Sequence, residues 1–180
     1  MVLDSLLKDD FKYSNKTDEK YFQYFYGKVP IINSRRLYDK EGNETGVYAC
    51  SIVMCRDTID LYGCHLASNN YSPSQDRISP DSIQNGTGLI TYLHIIISAG
   101  ERRTIEVESL VHEINISQRQ TIVMGDLNDV NYSKPLRLLE SSGLKDAWWE
   151  GGVGYGATIK YPLPYRIDHI VYTNGLKLKK

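Results

Sequence analysis

The sequence predicts an α/β (α+β) fold, with strands in the first part of the chain and alternating strands and helices after them. Two apolar segments, Val47–Cys55 and Ile59–Leu66, are separated by three residues, which is short enough for a hairpin. From Leu89 to Ile116 apolar residues recur near a 3.6-residue period, which indicates a helix. Early strands followed by alternating elements are typical of a layered domain.

Shorter segments complete the order of elements. A helix is predicted to begin at Ser133, with a serine cap and an early proline, and to end at Gly143. Residues 1–28 are polar and tyrosine-rich and predict at most a short helix, while 72–88 predict a loop or a broken helix start. The remaining predictions are strands at Val29–Ser34, Thr121–Met124 and Ile167–Tyr172 and a turn at Asp39–Asn43.

Composition excludes some classes of protein. The 180 residues are 41% hydrophobic and 24% charged with a net charge of -1, enough to bury the core of one domain. Near-neutral charge argues against coating nucleic acid by bulk electrostatics, but not against binding a single phosphate group. No apolar run approaches the roughly 20 residues of a membrane span. Cys50, Cys55 and Cys64 lack Cys-x-x-Cys spacing, and we expect buried thiols.

The sharpest motif, Met-Gly-Asp-Leu-Asn-Asp, directly follows a predicted buried strand and ends at Asp129. Asp126 and Asn128 can face one point from a strand end, where the carboxylate could hold a metal or orient a water. The Asn128 amide could bind a phosphate oxygen without adding repulsive charge. Gly125 would let the backbone pass close to a ligand. An Asx-rich turn accounts for this motif alone equally well.

A second motif places His65 at the end of an apolar strand. A histidine there could donate to a phosphate oxygen or assist a leaving group, although a lone histidine is more often a hydrogen-bonded core residue. Asn69 and Asn70 follow in the loop and could contact substrate at the same opening, but both are ordinary turn residues.

A third motif, Tyr165–Tyr172, sets Asp168 into an otherwise apolar strand. Burying a carboxylate is costly unless it is paired, so we expect a partner for Asp168. Arg166 is a candidate substrate contact, and a salt bridge between it and Asp168 is the structural alternative. His169 points to the opposite face of the strand and is expected to be structural.

In this order and spacing, the three motifs resemble the endonuclease/exonuclease/phosphatase superfamily, which includes pancreatic-type deoxyribonucleases and neutral sphingomyelinases. The stretch from Ile122 to Tyr172 looks closest to bacterial members. The resemblance implies a four-layer α-β-β-α sandwich of two mostly antiparallel sheets, with residues 1–180 as one partial domain, incomplete at the sheet edges and poorly assigned over 1–28. It also implies Mg²⁺ or Mn²⁺ and a water that attacks phosphorus in line.

The resemblance also implies roles for individual residues. His65 matches the phosphate-contacting histidine, and Asp126 matches the aspartate that orients or deprotonates the attacking water. Asn128 matches the neighbouring phosphate-binding amide, and Asp126 and Asn128 are the candidate metal ligands. Asp168 matches an acid that orients a catalytic histidine, and Thr158 matches a threonine without an assigned role.

Three parts of the family pattern have no match: an early active-site asparagine, a metal-binding glutamate at a strand end, and a closing Ser-Asp-His loop. We therefore expect a fragment, a degenerate copy, or a chain whose missing parts another chain supplies, with weak or no phosphoesterase activity by itself and sheet edges open to self-association. The alternative is a non-catalytic binding or scaffold module that keeps the sandwich.

The substrate remains open among nucleic acid, phospholipid and sugar phosphate. Four arginines are candidate nucleic-acid contacts, although paired surface arginines are more often solvated. Trp148 and Trp149, before a glycine-rich stretch, could form a substrate loop, but a packed tryptophan beside a turn is favoured. The four arginines are Arg35, Arg36, Arg102 and Arg103.

Overall fold

The computed structural model describes residues 7, 9–16, 24–69, 87–159 and 164–179. In chain order the elements are strands β1 (Tyr13–Lys16), β2 (Tyr24–Gly27), β3 (Ile31–Tyr38), β4 (Glu44–Met54) and β5 (Asp57–His65), helix α1 (Thr87–Ser117), strand β6 (Gln120–Asp126), helix α2 (Lys134–Ser141), strand β7 (Leu144–Asp146), helix α3 (Ala147–Gly151) and strand β8 (Asp168–Thr173).

The strands form two sheets. β1 and β2 make an antiparallel ribbon, and the other six strands form a sheet in the order β3-β4-β5-β6-β8-β7. In the larger sheet only β5 and β6 are parallel, because the connection between them includes the crossover helix α1. The fold class is confirmed: an α/β chain with two mostly antiparallel sheets and helices. The carboxyl ends of β5 and β6 therefore meet at one edge of the sheet, where the antiparallel β8 begins.

One face of the large sheet carries the core. On this face, Val123 of β6 pairs with Tyr62 of β5 on one side and with Val171 of β8 on the other, and all three are at least 98% buried. They pack with residues of α1 and α2 such as Leu110 and Leu139. The opposite face is more open, which Ile170 on β8 illustrates at 52% exposure. Among the described residues, no helix is both long and apolar enough to cross a membrane.

The predicted elements are largely confirmed, with two corrections. The β4–β5 turn is Cys55–Arg56, and Cys55 is exposed with a positive φ of 56°, so its expected burial is wrong. Cys50 and Cys64 are buried free thiols, and burial, followed by the charge of Asp60, raises the pKa of Cys50 to about 12.

The second correction concerns residues 1–28, which contain the β1–β2 ribbon rather than only a short helix. Its four-residue strands pair Tyr13 with Gly27 and Lys16 with Tyr24. Strands this short carry too few alternating residues to be recognised by period. The predicted loop at 72–88 lies outside the described residues except at its end, where α1 begins at Thr87.

Candidate active site at the ends of β5, β6 and β8

Three of the predicted site residues lie in one row across the sheet. His65, the last residue of β5, pairs with Asp126, the last residue of β6. Asp126 in turn pairs with Asp168, the first residue of β8. Cross-strand partners project from the same face, so all three side chains leave the sheet on the side away from the helices. The sheet thus brings together residues that are 61 and 42 positions apart in the chain, counted from 65 to 126 and from 126 to 168.

Two glycines allow the neighbouring strands to approach the end of β5. A Cβ at Gly46 on β4 would lie 2.0 Å from the His65 carbonyl oxygen, and a Cβ at Gly125 on β6 would lie 2.2 Å from the Cys64 carbonyl oxygen. Gly125 also has a φ of 129°, which other residues rarely adopt. The close approach at Gly125 is therefore between its backbone and the neighbouring strand β5, whereas the sequence predicted an approach to a ligand.

Hydrogen bonds tie the loop after β6 to the loop after β5. The Asp126 Oδ1 accepts from the Asn128 backbone N–H at 2.8 Å, which forms an Asx turn. Asn128 has a φ of 50° and its Nδ2 donates to the Leu66 carbonyl at 2.8 Å. The Leu66 N–H donates to the Asp126 carbonyl at 3.0 Å. The residues of the candidate site therefore also form the Asx turn. Within that turn, the Asn128 side chain still has a second N–H and its amide oxygen for a ligand.

The surroundings of Asp126 favour its protonated form. Partial burial raises the pKa of this carboxyl, the Asn128 N–H opposes the rise, and the charge of Asp168 adds to it. His65 and His169 act in the lowering direction. A carboxylate with a raised pKa is a better proton acceptor, as a group that activates water needs to be.

Asp168 is exposed, which corrects the expectation of a buried and paired carboxylate. The proposed salt bridge with Arg166 is absent from the described contacts, because Arg166 binds Asp146 instead. Thr158 anchors the start of β8: its Oγ1 accepts the backbone N–H groups of Ile167 at 3.1 Å and of Asp168 at 3.2 Å.

Arg166 lies in a buried polar cluster on the helix side of this row. Its Nη1 and Nη2 donate to the two oxygens of Asp146 at 2.9 and 2.6 Å, and Nη2 also donates to Asn131 at 2.9 Å. His169, only 2% exposed, places Nδ1 3.3 Å from Asp146 and Nε2 3.1 Å from the Asp129 carbonyl. These contacts give Arg166 a structural position, while its expected contact with substrate stays a prediction.

Of the two predicted loop asparagines, only Asn69 lies among the described residues. Asn69 is exposed near the end of β5, and its Oδ1 accepts from Arg103 Nη1 at 2.9 Å, which leaves its amide N–H groups for other partners. Asn70 lies outside the described residues.

The arginine pairs are engaged with carboxylates. Arg103 is only 4% exposed and donates to Asp129, which is contrary to its expected position on the surface. The helical spacing predicts this, since Arg103 shares a face with the core residues Val107 and Leu110 at i+4 and i+7. The other contacts are Arg35 to Glu113, Arg36 to Glu44 and Arg102 to Asp39.

Trp148 packs beside the glycine-rich stretch, as was favoured. Its Nε1 donates to the Gly154 carbonyl at 3.3 Å, while Trp149 is 59% exposed. A mostly apolar cleft of about 540 Å³ lies between Trp148 and Asp168 and extends over Ile170. The cleft provides space for a substrate group beside the row.

The loop after β6 offers carboxylate and amide oxygens, which are the types of ligand that a divalent cation such as Mg²⁺ prefers. Asp126 Oδ2 has no hydrogen bond among the described residues, and Asn128 offers its amide oxygen two positions later. Mg²⁺ typically binds one or two carboxylates and completes its shell with waters and substrate phosphates. Within the described ranges there is no group of three or more His, Cys, Asp or Glu side chains that could hold a metal by themselves.

Comparison with protein families decides the assignment. A model of the Endonuclease/Exonuclease/phosphatase family matches residues 12–180. The chain belongs to this family. Comparison with the curated proteins finds no match to the chain.

Three solved structures illustrate the fold of this endonuclease/exonuclease/phosphatase family member. Sphingomyelinase C from Streptomyces griseocarneus is 14% identical with a TM-score of 0.60, over 98% of this chain and 67% of the other. A beta toxin variant from Staphylococcus aureus with bound magnesium ions is 13% identical with a TM-score of 0.56, over 98% and 67%. The human nocturnin catalytic domain with bound sulfate is 17% identical with a TM-score of 0.51, over 84% and 51%. At these identities the likeness shows the fold, and the chain spans about half to two thirds of each structure.

Proposed function

We propose that the chain supports Mg²⁺- or Mn²⁺-dependent hydrolysis of a phosphodiester or phosphomonoester at the row formed by His65, Asp126 and Asp168. The observation that carries the proposal is that row itself, because residues from three separate motifs occupy paired positions on adjacent strands. If the histidine and the two acids had been placed by chance, they would not be expected on the same face and at the same edge of the sheet.

Each residue of the row has a proposed role with which its contacts are compatible. Asp126 accepts the proton of the attacking water through the carboxyl oxygen that the Asx turn leaves free, aided by its raised pKa. His65 is exposed at the strand end and donates an N–H to a phosphate oxygen. Asn128 uses its second N–H or its amide oxygen, since the first N–H holds Leu66.

Asp168 and a cation complete the proposed site. The exposed Asp168 carboxylate would accept a hydrogen bond from a proton-bearing group near the leaving oxygen, although the closing histidine of the family pattern has no match in this sequence. Asp126 and Asn128 would hold the cation, which is the alternative to Asp126 accepting the proton of the water through the same free oxygen. When bound, the cation would neutralise charge on the phosphoryl oxygens. The apolar cleft beside Asp168 could receive the group attached to phosphorus.

We expect turnover by this chain to be weak, because its sequence has no match to the family's metal-binding glutamate. The alternative is a non-catalytic module that binds a phosphate group at the same row. Both forms of the proposal require phosphate binding at His65 and Asn128.

The test is hydrolysis of bis-(p-nitrophenyl) phosphate with Mg²⁺ or Mn²⁺ by the chain, by Asp126→Asn and by Asp57→Asn. Asp57 is a matched control, because it is exposed at the opposite end of β5. Metal-dependent turnover that only Asp126→Asn abolishes supports the enzyme. If no form turns over, titration with inorganic phosphate and Mg²⁺ decides the outcome. Shifts of the His65 and Asn128 NMR signals would support the binding module, and their absence would refute both.

The substrate class is tested by comparing hydrolysis of single-stranded DNA, sphingomyelin and a sugar phosphate. The arginines proposed as nucleic-acid contacts already bind carboxylates, so they provide no support for nucleic acid. The apolar cleft beside Asp168 favours a substrate with an apolar group near phosphorus. We therefore expect the sugar phosphate to be the poorest of the three.

A further inference from the structure

Two buried charges on one face of α1 point toward the candidate site. Arg103 and Glu106 are each only 4% exposed and stand one helical turn apart. Their neighbours on this face, Val107 and Leu110, belong to the hydrophobic core. Charged groups are costly to bury unless their hydrogen bonds are satisfied, so their contacts indicate why the helix carries them.

Together the two side chains hold both backbone polar groups of Ala67, in the loop after β5. Glu106 Oε2 accepts the Ala67 N–H at 3.0 Å, and Arg103 Nη1 donates to the Ala67 carbonyl at 2.9 Å. Glu106 Oε1 accepts the Gly46 N–H at 2.8 Å, which ties the start of β4 to the same carboxylate. Ala67 is two residues after His65, so these bonds fix the chain just beyond the histidine.

Arg103 also reaches the loop after β6. Its Nε donates to Asp129 Oδ2 at 2.9 Å, and Nη1 also donates to Asn69 at 2.9 Å. One guanidinium therefore contacts both loops that carry the candidate site, one beyond His65 and the other beyond Asn128. The Asp129 carbonyl is held from the other side, 3.1 Å from His169 Nε2.

We infer that Arg103, supported by Glu106, is a positioning residue that sets the spacing between His65 and Asn128. That Arg103 bridges the two loops rests on the contacts above. That this spacing matters for phosphate binding rests on the proposed function. The planar guanidinium presents N–H donors in fixed directions and can bridge two loops at once. A lysine at this position keeps the charge but carries its three N–H donors on one nitrogen, so it cannot occupy the Nε and Nη1 positions at the same time.

The test compares Arg103→Lys with Arg102→Lys, adjacent arginines on the same helix. Arg102 is a control for the charge near Glu106, since its guanidinium lies 4.0 Å from that carboxylate but binds Asp39 and the Glu44 carbonyl rather than Asp129. The structural readout is NMR-detected hydrogen exchange of the Ala67 amide and of the Asn128 side-chain amide, which bonds Leu66 across the loops. We expect Arg103→Lys to speed exchange at both sites at least about tenfold more than Arg102→Lys, in line with the strength of charge-assisted hydrogen bonds.

The functional readout is the affinity for inorganic phosphate with Mg²⁺. Arg103→Lys should weaken it by about tenfold or more, while Arg102→Lys should leave it near that of the unmodified chain. Asp129→Asn should reproduce part of the loss, and adding it to Arg103→Lys should cost little more, because the two act through one contact.

The outcomes separate this inference from the proposed function. Equal amide exchange rates in the two lysine variants would overturn the positioning role. The role would also be overturned if the loss of phosphate affinity in each variant simply followed its loss of global stability, measured by urea unfolding. If the unmodified chain binds no phosphate, the proposed function fails. In that case the Ala67 and Asn128 exchange rates still decide whether Arg103 spaces the loops.

Discussion

Asp126 lies directly opposite Asp168 in the antiparallel ladder between β6 and β8. Like charges in such positions repel one another. The pKa of Asp126 is raised, first by burial and then by Asp168, against the opposing Asn128 N–H. The pairing costs stability, and it supports the proposed role of the two carboxylates.

Replacing Asp168 with asparagine should lower the pKa of Asp126 toward its ordinary value. The shift should be partial, because burial of Asp126 remains the larger cause. A carboxyl whose pKa is raised by folding contributes stability below its unfolded pKa and loses it as pH rises through its folded pKa. Asp168→Asn should therefore increase the free energy of unfolding at pH 7.

The measurement is the Asp126 carboxyl carbon shift against pH, together with urea unfolding at pH 7. Asp57→Asn, at the far end of β5, controls for the loss of one negative charge. An unchanged Asp126 titration in Asp168→Asn would contradict the coupling. So would an equal shift in the Asp57 variant.

Removing the Asp146 carboxylate should destabilise the fold strongly. Burial opposes its ionisation, but hydrogen bonds from His169, Arg166 and the Trp148 N–H outweigh burial and lower its pKa well below the ordinary value. Asp146→Asn leaves the Arg166 guanidinium buried without its charged partner. Breaking such a pair costs on the order of 3 kcal/mol, which urea unfolding at pH 7 would measure.

The pH dependence gives a second, independent check on Asp146. A depressed pKa contributes stability that is present above the unfolded pKa, about 4, and is lost as pH falls. The difference between the parent chain and Asp146→Asn should therefore shrink between about pH 4 and pH 2. A constant difference over that range would mean that packing, rather than charge, explains the loss.

Gly125→Ala should cost at least about 2 kcal/mol more than Gly143→Ala. Both glycines have positive φ, 129° and 88°, so alanine is strained at either position. Only at Gly125 would the added Cβ meet backbone, 2.2 Å from the Cys64 carbonyl, whereas the space around Gly143 is open. Urea unfolding of the two variants makes the comparison, and equal costs would show that β6 can move away from β5.

The sequence predicts the row of site residues better than it predicts their support. His65, Asp126 and Asp168 follow or begin apolar strands, so local pattern and motif are sufficient to single them out. Asp146 and Asp129 act through partners 20 or more positions away, Arg166 and Arg103, and no local pattern specifies such pairs. The exposed Asp168 was misjudged because an apolar strand was assumed to be buried on both faces.

Thr158→Val should loosen the start of β8 and with it the position of Asp168. The Thr158 hydroxyl accepts the N–H groups of Ile167 and Asp168, and the Ile167 carbonyl in turn accepts the Leu127 N–H at 2.9 Å. Valine matches the shape of threonine but offers no acceptor, so about 1 kcal/mol of stability should be lost.

Thr158→Ser keeps the hydroxyl and is the matched control for this variant. We expect faster amide exchange at Ile167 and Asp168 in the valine variant, with rates near those of the parent chain in the serine variant. Because Leu127 directly follows Asp126, movement of Ile167 would also change the distance between the two carboxyl groups of the row. The pKa of Asp126 should then fall in Thr158→Val, and an unchanged Asp126 titration would mean that the β6–β8 ladder alone holds Asp168 in place.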